Sequence, residues 1–207
     1  MKDRELDALM RHYKDYLGDV ELLVYEPNKD MPFKPQLILS RPNQYHSYNV
    51  IATVGVSDLK LRGTYSNCEF VILLDENWKF KLDNVNYNWP LELAHKISNI
   101  IYLTDSEMGY GKYFINEDSR TFSPSTDMGV ALMGVPAMLD KRFFEMKTGK
   151  KAVNFFAITT ATFEELKLIK RIGGINFIQH YLLPEGEDAF IVRNNKFNYT
   201  DEKTVRR

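Results

Sequence analysis

The chain has 207 residues, 44% hydrophobic and 27% charged, with a formal net charge of -1 at pH 7. That balance supplies ample core material and excludes extensive disorder. It also argues against a broad nucleic-acid footprint, which needs a basic excess, and equally against an acidic DNA mimic. The single cysteine, Cys68, excludes an internal disulfide and a cysteine-built zinc site.

The first residues, MKDRELDALMRHYKDYLGD, are too charged for the apolar region of a signal peptide. No apolar run approaches the ~18 residues of a membrane helix. A cytoplasmic soluble protein is the expectation. Leu6, Leu9, Met10, Tyr13, Tyr16 and Leu17 recur at helical spacing and Gly18 follows them, so residues 3–17 read as an amphipathic helix docked on the body.

Strand-like stretches follow at 20–26, 36–41, 48–57 and 69–75, separated by proline- and asparagine-rich turns. Phe70 to Leu74 are all apolar, the pattern of a strand buried on both faces. In the stretch 48–57, alternation puts Tyr48, Val50, Ala52, Val54 and Val56 on one face. The opposite face carries Thr53, Gly55 and Ser57, and this small row is expected to let a helix, Pro90–Leu103, lie close to the sheet. That helix is the clearest in the chain. Its stripe is Leu93, Ala94, Ile97, Ile100 and Ile101, with Pro90 in the first turn and His95 beside the stripe as a surface or packing residue.

Residues 105–128 read as a long loop with a short strand near Lys112–Ile115, and long ordered loops are often functional. The stretch 130–139 reads as a strand in which Pro136 marks an edge or a bulge. Residues 140–151 form a positively charged hairpin tip and 153–161 a further strand. Thr162 and Glu165 have the spacing of a capping box before a helix that ends at Gly173-Gly174. A second helix at about 175–183, a short strand AFIVRN and a loose tail close the chain. Strand runs followed by helices indicate an α+β fold, a mixed, mostly antiparallel sheet with helices packed against it. One domain is expected over 1–190, with 191–207 as terminal strand and tail.

Catalytic signatures are missing. Gly55-Val56-Ser57-Asp58-Leu59 has the first half of a nucleophile elbow but Leu59 where the second glycine belongs. There is no Walker loop, dinucleotide fingerprint, H-E-x-x-H or calcium loop. Gly109 and Gly111 before Lys112 lack the context of a phosphate loop. The histidines, at 12, 46, 95 and 180, lie on different elements, and Cys68 reads as a core thiol. No cofactor or metal site is expected, and the chain is read as not an enzyme.

The ordered segments HYKDYLG (12–18), YNVIATVGVSD (48–58), CEFVILLDENW (68–78), WPLELAHKIS (89–98) and VNFFAITTATFEELKLIKRIGGINFI (153–178) together resemble the suppressor of fused family. The likeness is to its compact bacterial members and covers about residues 10–183. The 105–128 segment departs from the family's histidine-containing stretch, and the second domain of the animal protein has no counterpart. The resemblance implies a non-catalytic, protein-binding domain, an immunity protein or antitoxin that neutralises a cognate polymorphic toxin, often a nuclease. No direct nucleic-acid or membrane contact is implied. The expected contact surface is the 105–118 loop, with Asp105, Glu107, Glu117 and Asp118 as acids and Tyr110 and Tyr113 as anchors. Two other readings stand beside it: an enzyme using His46 and Ser57, and a regulator that adds a peptide strand at the Pro136 edge.

Overall fold

In a computed structural model, described over residues 2–27, 31–59, 61–104, 107–149, 151–186 and 189–193, the fold is α+β. The helices are α1 (Asp3–Leu17), α2 (Val85–Thr104), α3 (Phe163–Ile172) and the short α4 (Gly174–Phe177), which runs on into a widened turn over Ile178–Leu182. The strands are β1 (Glu21–Leu23), β2 (Gln36–Ser40), β3 (Asn49–Val54), β4 (Cys68–Leu74), β5 (Tyr113–Ile115), β6 (Met128–Gly134), β7 (Glu145–Thr148) and β8 (Lys151–Thr162). They make one sheet in the order β1-β2-β3-β4-β8-β6-β5, with β7 on the first residues of β8. Only the β4–β8 pairing is parallel.

Both faces of the sheet are covered. On one face, Leu9, Tyr13 and Leu17 of α1 and Leu166 and Ile169 of α3 pack with Val50, Ala52, Val71, Leu73 and Phe155. On the other, Trp89, Leu93, Ala94, Ile97 and Ile101 of α2 pack with Leu37, Ile51, Phe70, Ile72 and Phe156. This is why every residue of β3, β4 and β6 is buried. The expectation of a doubly buried strand at Phe70–Leu74 holds, as does the Thr162–Glu165 capping box: Glu165 N–H donates to Thr162 Oγ1 at 3.1 Å and Thr162 N–H to Glu165 Oε2 at 2.7 Å.

The small row on β3 has a different purpose from the one expected. It encloses a carboxylate rather than admitting a helix. Glu69 of β4 is completely buried. Its Oε2 accepts from Thr53 Oγ1 at 2.6 Å and Val56 N–H at 3.3 Å, and its Oε1 from Gly55 N–H and Ser57 N–H, both at 3.0 Å. Thr53 Oγ1 accepts in turn from Phe70 N–H, and the Thr53 carbonyl accepts from Tyr13 Oη at 2.6 Å. To present three successive N–H groups to one carboxylate the chain must leave the strand sharply. Gly55 does so at φ +112, and a 3-10 turn over Val56–Asp58 follows. A Cβ on Gly55 would meet nothing within 4 Å. Conformation, not crowding, is therefore what requires glycine there.

Helix α2 begins earlier than Pro90. Asn84 caps it, accepting from Asn86 N–H through its side chain at 3.0 Å, and Pro90 sits in the second turn. Proline leaves the carbonyl four residues earlier without its helical donor. Ser125 Oγ supplies the bond instead, donating to the Asn86 carbonyl at 3.2 Å. Pro136 lies beyond β6, which is paired on both sides by β5 and β8, so it ends a central strand and does not mark a sheet edge. Among the described residues β1 and β5 end the sheet with one neighbour each, and β7 likewise pairs on one side only, with β8. Past Val71 and Ala157, β4 and β8 separate. The carboxy-terminal segment fills the gap: Val192 N–H donates to the Leu73 carbonyl at 2.7 Å and Ala189–Val192 are buried. Residues 189–192 are thus packed into the body, and of the terminal strand and tail expected over 191–207, residues 194–207 lie outside the described residues.

Gly55→Ala should lower stability by about 1–2 kcal/mol through backbone strain alone, read by urea denaturation. Glu69→Gln should cost about 2–3 kcal/mol because one amide –NH2 then faces backbone donors in a buried site. A Gln variant of wild-type stability would show that the carboxylate is not what holds the turn.

Candidate partner-binding site

The described parts of the connection between β1 and β2, residues 24–27 and 31–35, lie against the side of α2 that carries Glu92, His95, Asn99 and Tyr102. Asn99 fastens that connection: its Oδ1 accepts from Phe33 N–H at 3.0 Å and its Nδ2 donates to the Phe33 carbonyl. The Phe33 ring stacks on Tyr102 at 5.6 Å between centroids. Tyr25 Oη donates to Glu92 at 2.8 Å, and the Tyr25 ring covers His95 at 5.8 Å. Anchored in this way, Met31 and Pro32 form one wall of a groove of about 330 Å³. The opposite wall is the edge strand β5 with Phe114, Ile115, Asn116 and Glu117, and the floor is Leu93, Ile97 and Phe122. Leu103, Ile115 and Ile100 are exposed apolar side chains on its rim, at 66%, 39% and 36%. Lys96 and Glu117 place opposite charges on the same lining. An open apolar trough beside an unpaired strand edge is suited to receiving a protein segment.

The six residues expected to bind a partner do not gather into one patch. Asp105 lies outside the described residues. Glu107 and Tyr110 line a second, shallower cleft of about 610 Å³ with Tyr65 and Gly173–Asn176. Tyr110 packs its ring on Phe156 at 4.8 Å, and burial raises its pKa. Tyr113 turns to the α1 and α3 face and joins that core, because successive residues of β5 point to opposite sides. Glu117 lines the α2–β5 groove. Asp118 sits in an exposed turn at φ 54, with Arg120 at 3.8 Å. Sequence reasoning missed Ile100, Leu103, Ile115 and the Met31–Pro32 wall. One signal was available: the end of α2 reads Asn-Ile-Ile-Tyr-Leu, apolar on more sides than one buried stripe needs.

His46 and Ser57 do not meet. They flank β3 at opposite ends, separated by six extended residues, on the order of 17–20 Å of strand. His46 is spent on local contacts, with Nδ1 at 2.6 Å from the Tyr48 carbonyl and Nε2 at 3.1 Å from the Leu17 carbonyl and 3.2 Å from Ser40 Oγ. Cys68 is fully buried and its thiol pKa is raised by that burial and by Glu69. Among the described residues no three His, Cys, Asp or Glu side chains gather as a metal site, and no described helix is long and apolar enough to cross a membrane.

The family model described as Suppressor of fused protein (SUFU) matches residues 34–193, most of the chain. The chain belongs to the suppressor of fused family. Solved structures carry the same fold. A suppressor of fused homologue from Neisseria gonorrhoeae superimposes with a TM-score of 0.64 at 15% identity, over 95% of this chain and 94% of that one. A chain of the Sufu–Fu complex gives 0.61 at 16% identity, covering 94% and 90%. Drosophila Suppressor of Fused gives 0.55 at 16% identity, covering 94% of this chain and 50% of that one. No curated protein matches significantly. The family match begins after α1 and β1, whereas the structural matches cover nearly the whole chain.

His95 is the unusual residue beneath the groove's outer wall. It is 2% exposed and neither ring nitrogen has a hydrogen-bond partner. Burial, with nearby Lys34 adding to it, lowers its pKa to about 4. The unfolded chain therefore takes up this proton first, so stability is complete above about pH 6.5 and declines as pH falls toward about 4. His95→Phe should flatten that part of the stability profile while keeping the contact with Tyr25. Thermal melts from pH 7 to pH 4 that superimpose for the two proteins would refute this account of His95.

Proposed function

We propose that this chain is a non-catalytic protein-binding domain that serves as an immunity protein, occupying and neutralising a cognate toxin. The observation that carries the binding reading is the groove between α2 and β5, whose apolar rim lies beside a free strand edge. A segment of the partner laid in the trough buries Ile100, Leu103 and Ile115 and finds backbone donors and acceptors on β5. Family membership supports the same class, since one structure of this fold is of a complex, the Sufu–Fu complex. The toxin-directed reading is supported by the likeness to the compact bacterial members. The chain spans 94% of the Neisseria homologue but only half of the Drosophila protein.

Co-expression tests both levels. Wild-type protein should rescue growth of cells expressing the toxin encoded beside its gene and should co-purify with that toxin. Leu103→Asp with Ile115→Asp, both at exposed positions, should abolish rescue while leaving the melting temperature within a few degrees of wild type. Rescue that survives the double variant would move the site off the groove. A wild-type protein that neither rescues nor co-purifies would end the immunity reading.

A further inference from the structure

The opposite edge of the sheet is built unlike the groove. Natural sheet edges are usually blunted by lysine, proline, glycine bulges or covering loops, because a bare edge recruits another strand. The stretch Val20–Glu26, which carries β1, reads Val-Glu-Leu-Leu-Val-Tyr-Glu; it has no lysine, proline or glycine, and its blunting is limited to the three-residue length of β1 and the charges of Glu21 and Glu26. Leu22 is 57% exposed and Val24 is 79% exposed. β1 pairs only with β2 among the described residues.

We infer that β1 is a self-association edge, on which a second copy of this chain adds its own β1 in antiparallel pairing about a two-fold axis. The sequence of the edge is self-complementary in that arrangement. Centred on Leu22, the pairing sets Leu22 against Leu22 of the partner subunit and Val20 against Val24 of the partner subunit, all on the face that carries α1. Glu21 falls opposite Leu23 of the partner subunit. It brings no uncompensated charge, because Arg41 of its own chain holds it at 2.8 Å. Beyond the paired strands, Glu26 of the partner subunit comes toward a cleft of about 670 Å³ lined by Lys14 and Arg41 as well as by Asp19 and Glu21. The two-fold repeats every such contact, which is the property of the isologous interfaces that most soluble dimers use. A foreign strand of arbitrary sequence lacks this apolar matching. The result is a continuous sheet of two domains, with the α2–β5 grooves at its two far ends.

Light scattering on the full chain tests this directly. Wild type should run at twice 24.2 kDa, and Leu22→Lys with Val24→Lys should run at the mass of one chain with an unchanged circular dichroism spectrum. Ile115→Lys, on the other edge, should remain a dimer. Leu22→Cys gives an independent readout. The only native cysteine is buried, so a disulfide-linked dimer on a non-reducing gel reports Leu22 facing its own copy. A wild-type protein at the mass of one chain at high concentration overturns the inference. So does a dimer that persists in the double-lysine variant, or a Leu22→Cys protein that stays uncross-linked under oxidation.

Discussion

Glu69 organises the centre of this domain. A carboxylate in the middle of a sheet is tolerated only when its oxygens are fully engaged, and here four donors from the end of β3 do so. Burial raises its pKa, while the bonds from Thr53, Ser57 and Gly55 pull the other way and favour the ionised form. The bond network reaches both neighbours of the site. Through Phe70 N–H it pins the register of β4, and through the Thr53 carbonyl it holds Tyr13 of α1. One side chain thus fixes where β3 ends, how β4 lies against it and where α1 docks. It also raises the pKa values of Tyr13 and Cys68, each of which is raised first by its own burial.

With the centre fixed, the two ends of the sheet differ. At the β5 end, α2 rises beside a three-residue strand and leaves a trough. The connection fastened by Asn99 closes its outer side. At the β1 end, no described element pairs with the outer edge, and the strand presents aliphatic side chains to solvent. A domain with this layout has one concave apolar surface and one flat edge, and the two kinds of surface accept different geometries of partner.

Much of the fold was legible because it rests on periodicity and local bonds. The helix at 3–17, the doubly buried β4 and the Thr162–Glu165 box all follow from spacing. What escaped depended on contacts distant in sequence. Thr53, Gly55 and Ser57 look like a packing floor until Glu69, more than ten residues on, is seen to need donors. Pro136 resembles an edge marker, but the chain had simply left β6 by then. The start of α2 was hidden because Pro90 reads as a first-turn residue, and only Ser125 explains how it fits in the second turn. The candidate site was less legible still. A loop of acids and tyrosines suggests a single surface, yet strand alternation sends Tyr113 into one core, while the turn before β5 lays Tyr110 against Phe156 on the other face. The groove that does form is made by exposed aliphatics of α2, which composition cannot separate from core.

The wedge filled by Val192 has a bearing on how the protein is made. β4 and β8 are neighbours in the sheet, yet 86 residues separate their paired positions, and the strand-like segment that completes their junction lies beyond both of them in sequence. Contacts of such long sequence separation form late and slowly. During synthesis β1 to β4 therefore wait with one side of β4 uncovered, and the sheet closes only once β8 and the segment around Val192 have emerged. Until then Leu73 and Leu74, completely enclosed in the finished domain, are open to whatever else in the cell has an unpaired strand to offer.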